Sequence, residues 1–179
     1  MFSARTRLLL ITGASLLAFA NLVQQRWALG AVFGAAAFAF VWGHWRYGSV
    51  FAAWQALLKE DREGARRLLA GTPRPAFLAP RHRAYYHWVR GLLLVHERET
   101  GAAREHLEAA LGGPLRSSSN EALLRAQLAE LEIGAGRWSA AERHLRAAHG
   151  MRARPGVASI LEGLAKELRE RGKREGDRT

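Results

Sequence analysis

Apolar positions along the chain fall into two regimes. Up to Trp45 they are almost unbroken. Residues 8–23 form one run of 16 and residues 27–45 a second of 19, interrupted only by His44. A membrane-crossing helix needs roughly 20 apolar residues, within a range of about 17 to 25, so the second run is long enough and the first falls short by about a turn. Beyond Trp45 the apolar residues recur at intervals of three and four, the period of a helix with one buried face. Leu124, Leu128 and Leu131 make one such stripe. Trp138, Ala141, Leu145 and Ala148 make the next, and Gly134-Ala-Gly136 supplies a tight turn between them. The same reading predicts helices over 62–70, 82–98, 102–111, 120–134, 138–149 and 156–171, the last opened by Pro155, with Ser119 or Asn120 as an N-cap. Nothing breaks a helix firmly between Trp45 and Glu60. The second apolar helix is therefore expected to run on through Gly48 to about Lys59. The three prolines within 71–81 predict an ordered loop.

Small side chains recur at a longer spacing. Ala129, Ala141, Leu145 and Ala148 repeat 38 residues upstream as Gly91, Ala103, Leu107 and Ala110, and 38 before that as Ala53, Ala65, Leu69 and Thr72. Small residues at these points let two antiparallel helices approach closely, with the leucine filling the seam. This pattern resembles the tetratricopeptide repeat (TPR), a helix–turn–helix unit of about 34 residues that stacks into a solenoid. The longer period here places extra residues around Pro73, Pro75 and Pro80 and in 112–119, where loops tolerate length. In the second copy Arg98 stands where the third has Gly136, and the turn is expected at Gly101. The resemblance runs from Tyr47 over about two thirds of the chain. It implies an all-α fold with a TPR-like α-solenoid of about three helix pairs. A C-terminal capping helix would close it, with Ile160, Leu161, Leu164 and Leu168 on its apolar face and Lys166, Glu167 and Arg169 outside.

Charge sharpens the picture at the amino end. The net charge is +11, with 24 arginines against 3 lysines and no acidic residue before Glu60. Arg5, Arg7, Arg46 and Lys59 flank the apolar pair on one side and only Arg26 lies on the other. Gln24, Gln25 and Arg26 are too few to form a domain, so the two apolar helices should run antiparallel as a transmembrane helical hairpin. Positive charge then predicts that both termini and the repeat domain are cytoplasmic, at the inner membrane of a bacterial cell. The alternative for the first run is a cleaved signal peptide, with Ala18-Phe-Ala20 as the cleavage site; it leaves the later domain on the same side. Trp27 at one end and Trp42, Trp45, Arg46 and Tyr47 at the other suit the membrane interface. Gly30-x-x-x-Gly34 offers a face for oligomerisation through the membrane helices. The expected organisation is a membrane anchor over 1–45, a repeat domain over 46–171 and a charged flexible tail over 172–179.

Catalytic chemistry is not legible. The sequence has no cysteine, only two aspartates (Asp61 and Asp177), no phosphate loop and no nucleophile elbow. His82 and His87 are five apart, as are His144 and His149, which puts neither pair on one helical face for a metal. His87 and His106 read as packing or surface residues. The expectation is a non-enzymatic protein without cofactor or metal. Arginine and glutamate interleave in the helices (Arg104/Glu105/Glu108, Arg125/Glu130/Glu132, Glu142/Arg143/Arg146), as on a solvated face rather than a nucleic-acid footprint.

Binding residues are found by aligning the copies. Residues 38 apart fall into the columns Tyr47/Tyr85/Leu123, Val50/Trp88/Ala126, Trp54/Leu92/Glu130 and Leu57/Val95/Ile133. The TPR resemblance implies that such columns line a concave groove holding a partner's peptide segment, here Trp54, Tyr85, Trp88, Leu92, Val95, Leu123 and Glu130. The competing reading of these apolar positions is burial against neighbouring helices. The function expected is a membrane-anchored protein–protein interaction adaptor. An anionic-lipid or nucleic-acid binder is the alternative from a different class, and the two differ in salt dependence.

Overall fold

A computed structural model describes residues 4–72 and 74–176. Among these the chain is all-helical, with no strand. The helices run α1 (Ala4–Val23), α2 (Trp27–Tyr47), α3 (Val50–Leu58), α4 (Arg62–Ala70), α5 (Pro80–His96), α6 (Thr100–Leu111), α7 (Ser118–Gly134), α8 (Trp138–His149) and α9 (Pro155–Gly176), with one short 3-10 turn at Pro75–Phe77. The chain divides into two compact units between His82 and Arg83.

In the first unit α1 packs against α2. The approach is close where Ala18 faces Gly30: a side chain at Gly30 would begin 2.8 Å from Leu22 Cδ2 and 3.5 Å from the Ala18 carbonyl oxygen. Among the described residues one helix, α2, is long and apolar enough to cross a membrane, with 21 residues and mean hydropathy 1.4; the apolar part of α1, Leu9–Val23, is shorter. Leu9, Leu16, Phe19, Val32 and Phe38 along the pair are exposed.

The expected continuous helix from α2 to Lys59 does not form. Gly48 adopts φ 55° and ends α2. Thr72 Oγ1 and Leu78 Cδ2 stand 3.0 and 3.1 Å from where a β-carbon on Gly48 would be. A left-handed glycine with neighbours this close redirects the chain, whatever the helical preference of the flanking residues. The chain restarts as α3, which contacts α4. Asp61 caps α4 by accepting from the Gly64 N–H at 2.7 Å.

The 38-residue spacing reappears in the backbone. Glu60, Arg98 and Gly136 have φ 63°, 63° and 70°. At each, one amide reaches back five residues (Asp61 to Ala56, Glu99 to Leu94, Arg137 to Glu132) and another three (Glu60 to Leu57, Arg98 to Val95, Gly136 to Ile133). This paired bonding is the Schellman motif, which satisfies carbonyls left over at a helix end. The second copy therefore turns at Arg98, and Gly101 lies inside α6. A fourth such turn closes α1: Gln25 has φ 58°, with Arg26 bonded to Asn21 and Gln25 to Leu22.

In the second unit Gly91 lets α5 and α6 meet, since a β-carbon there would lie 2.7 Å from Leu107 Cδ2. Ala103, Leu107, Ala110, Ala129 and Ala141 have no exposed surface. Ser117 caps α7 by accepting from the Asn120 N–H at 3.3 Å, two residues ahead of the nearer expected cap. Ser119 is buried instead and accepts from the Arg154 N–H at 3.1 Å. Ala126, Ala129, Ile133, Ala141, Leu145 and Leu164 form a core shared by α7, α8 and α9, with Leu161 and Leu168 against it. Ile160, expected on that face, is exposed. The segment expected to fray from 172 onward is helical through Gly176, and 177–179 lie outside the described residues.

Candidate functional site

The columns separate by depth. Val50, Trp88 and Ala126 are all buried, Trp88 completely. The Trp88 indole N–H donates to Gln127 Oε1 at 2.6 Å, and its ring lies 5.5 Å from that of Tyr85. The Asn120 amide donates to the Tyr85 hydroxyl. Trp88 is thus a core residue of the α5–α7 contact rather than part of an open surface. Its single polar atom is satisfied inside, as burial of an indole requires.

The column Trp54/Leu92/Glu130 opens outward, whereas in Leu57/Val95/Ile133 the last residue belongs to the core. Leu92 and Val95 are half-buried and Glu130 is exposed. These three share a cavity of about 480 Å3 with His96, Gln127 and Leu131, between the C-terminal halves of α5 and α7. Tyr85 and Leu123 are half-buried and do not line it. Trp54, also half-buried, belongs to the first unit. The structure brings together Leu92, Val95 and Glu130 out of the seven groove positions. Leu131 and Gln127 complete the wall; Leu131 is legible as part of the apolar stripe of α7 but not as a lining residue, and Gln127 carries no signal of its own.

Two polar clusters escape the sequence reading. His87 and His106, 19 residues apart, face each other with their Nδ1 atoms 2.9 Å apart. Burial lowers the pKa of both, reinforced at His87 by the charges of His106 and Arg83 and at His106 by Arg90. Glu132 does not belong to a solvated face: it is 1% exposed. Arg104 reaches one of its oxygens at 3.2 Å, and Arg137 pairs with the other. A buried carboxylate persists only with such partners. Among the described residues no three His, Cys, Asp or Glu side chains gather in a metal-binding arrangement.

At the other end, Trp27, Trp42, Trp45 and Tyr47 are exposed and Arg46 half-buried. Trp45 stacks on Phe77 with ring centres 6.4 Å apart. The Arg74 guanidinium lies 6.0 Å from the Phe77 ring. Phe77 and Arg74 sit in the stretch read only as a proline-rich loop. No protein-family model matches the chain, no curated protein is significantly similar to it, and no solved structure matches its fold.

Proposed function

We propose that the chain is a membrane-anchored helical-repeat adaptor that receives a segment of a partner protein in the α5–α7 cavity. In this reading α1 and α2 form a transmembrane hairpin in a bacterial inner membrane, with both termini cytoplasmic. The remainder is a TPR-like solenoid of about three helix pairs capped by α9. The cavity is the observation that carries the binding role. Leu92, Val95 and Leu131 give it an apolar wall, and Glu130 is its acidic group. That chemistry suits a segment with an apolar anchor next to a basic residue, since apolar pockets supply affinity and a few polar groups fix orientation. The identical turns at Glu60, Arg98 and Gly136 support the repeat reading.

The test is a photo-crosslinking residue at Leu92 in the full chain, activated in native membranes. The expected result is a discrete protein adduct that disappears when Glu130 is changed to Arg. An adduct no different from that of a probe at Glu142, on the exposed side of α8, would remove the cavity from the binding role. A reporter fused after Thr179 should be active in the cytoplasm; periplasmic activity would overturn the orientation.

A further inference from the structure

The segment 74–79 is built in a way its own stability does not call for. Leu78 is 2% exposed and holds the segment down, yet its neighbour Phe77 leaves 55% of its surface in solvent. The segment is also fixed in place. The Ala79 N–H donates to the Arg46 carbonyl at 2.8 Å, and the 3-10 turn opens with Pro75, whose ring pre-sets the backbone. Phe77 is thereby held against Trp45 at the C-terminal end of α2, the helix long and apolar enough to cross a membrane. Arginines flank the pair: Arg74 lies beside the Phe77 ring, and in sequence Arg46 follows Trp45 and Arg81 lies four residues after Phe77. No acidic residue occurs from Gly71 to His96 or anywhere before Glu60.

We propose that residues 74–79 are a second membrane contact, in which Phe77 enters the headgroup layer beside Trp45 while Arg74 and Arg46 meet the phosphates of acidic lipid. The inference rests on the reading of α2 as a membrane span. Ring centres 6.4 Å apart differ in depth by no more than that distance, so a Trp45 at the interface keeps Phe77 at or beside the interface. Aromatic residues combined with arginines, and no acids, match a negatively charged bilayer surface. A protein occupant would have to reach the same spot in the plane of the headgroups. Lipid is already there.

The chain has no native cysteine, so single cysteines can be labelled cleanly. Phe77→Cys and Ala76→Cys, each carrying an environment-sensitive fluorophore, are placed in the full-length protein in vesicles containing phosphatidylglycerol. Val32→Cys, exposed and more than a turn inside the N-terminal end of α2, tests the span, and Glu63→Cys, on the exposed side of α4, reports water. Nitroxide lipids labelled near the headgroup should quench Phe77 and Ala76 several-fold more than Glu63. Aqueous iodide should do the reverse, and deep acyl-chain nitroxides should quench Val32 most. If Phe77 and Ala76 both behave like Glu63 while Val32 stays in lipid, the second contact is wrong and the span stands. Shielding from iodide without quenching by lipid would mean that protein covers the segment, and would also overturn it. If Val32 is open to iodide, the span reading fails and the contact falls with it.

Discussion

Trp88 shows how much a single residue's surroundings decide. Its indole sits in the core, bonded to Gln127. Replacing it by alanine should destabilise the fold by about 3 to 5 kcal/mol, the range for large aromatic truncations in a core. Chemical denaturation of the Trp88→Ala protein measures this; a loss no larger than that of a surface substitution would contradict the burial. A repeat spacing reveals which residues share a helix face but not which face looks inward. Val50 and Ala126, the equivalents of Trp88, are equally compatible with either side. Leu92 and Glu130, one turn further on, carry the open surface, and an exposed glutamate in that column was the legible clue. The burial of Glu132 is illegible in the sequence for a related reason. Its partners Arg104 and Arg137 lie on another helix and beyond a turn, so an Arg-Glu pattern along α7 could not disclose them.

At the scale of elements, the helix-pair pattern was the most legible feature. α4, α8 and the centres of α5, α6 and α7 stand where the apolar period places them, because one buried stripe per helix is a direct imprint of packing on sequence. The joints were less legible. Arg98 occupies a left-handed conformation that costs a residue with a β-carbon roughly 1 to 2 kcal/mol. The main-chain bonds of the turn override this, whereas Gly101, where a glycine preference alone puts the turn, lies inside α6. Arg98→Gly should therefore stabilise the protein, by less than about 1 kcal/mol once the extra freedom of an unfolded glycine is deducted. Gly136→Ala should destabilise it. A thermal melt of each variant reads the sign, and a loss on Arg98→Gly would mean that its side chain contributes more than its backbone strain removes. The break at Gly48 was missed because what enforces it, Thr72 and Leu78, is more than twenty residues away in sequence.

For the whole molecule, protonation links scattered sites. Burial, ahead of nearby arginines, lowers the pKa of His82, His87, His106 and His144 from the ordinary 6.5. As pH falls through 6.5 the unfolded chain takes up protons first, so the folded state loses stability, until its own histidines protonate. The melting temperature should thus fall below about pH 6.5, and His87→Asn, which dissolves the His87–His106 pair, should flatten the fall. A melting temperature that rises on acidification would refute the assignment. The distribution of tryptophan has an optical consequence. Trp27, Trp42 and Trp45 are exposed on or at the end of the apolar helices, whereas Trp88 is sealed in the second unit. Trp54 and Trp138 are half-buried, one in each unit. With both replaced by phenylalanine, intrinsic fluorescence contains two populations. One is set by whatever surrounds α2, and the other shifts to longer wavelength only when the α5–α7 contact opens. A single emission spectrum followed through unfolding reports on the apolar helices and the helical core as separate signals, without a dye.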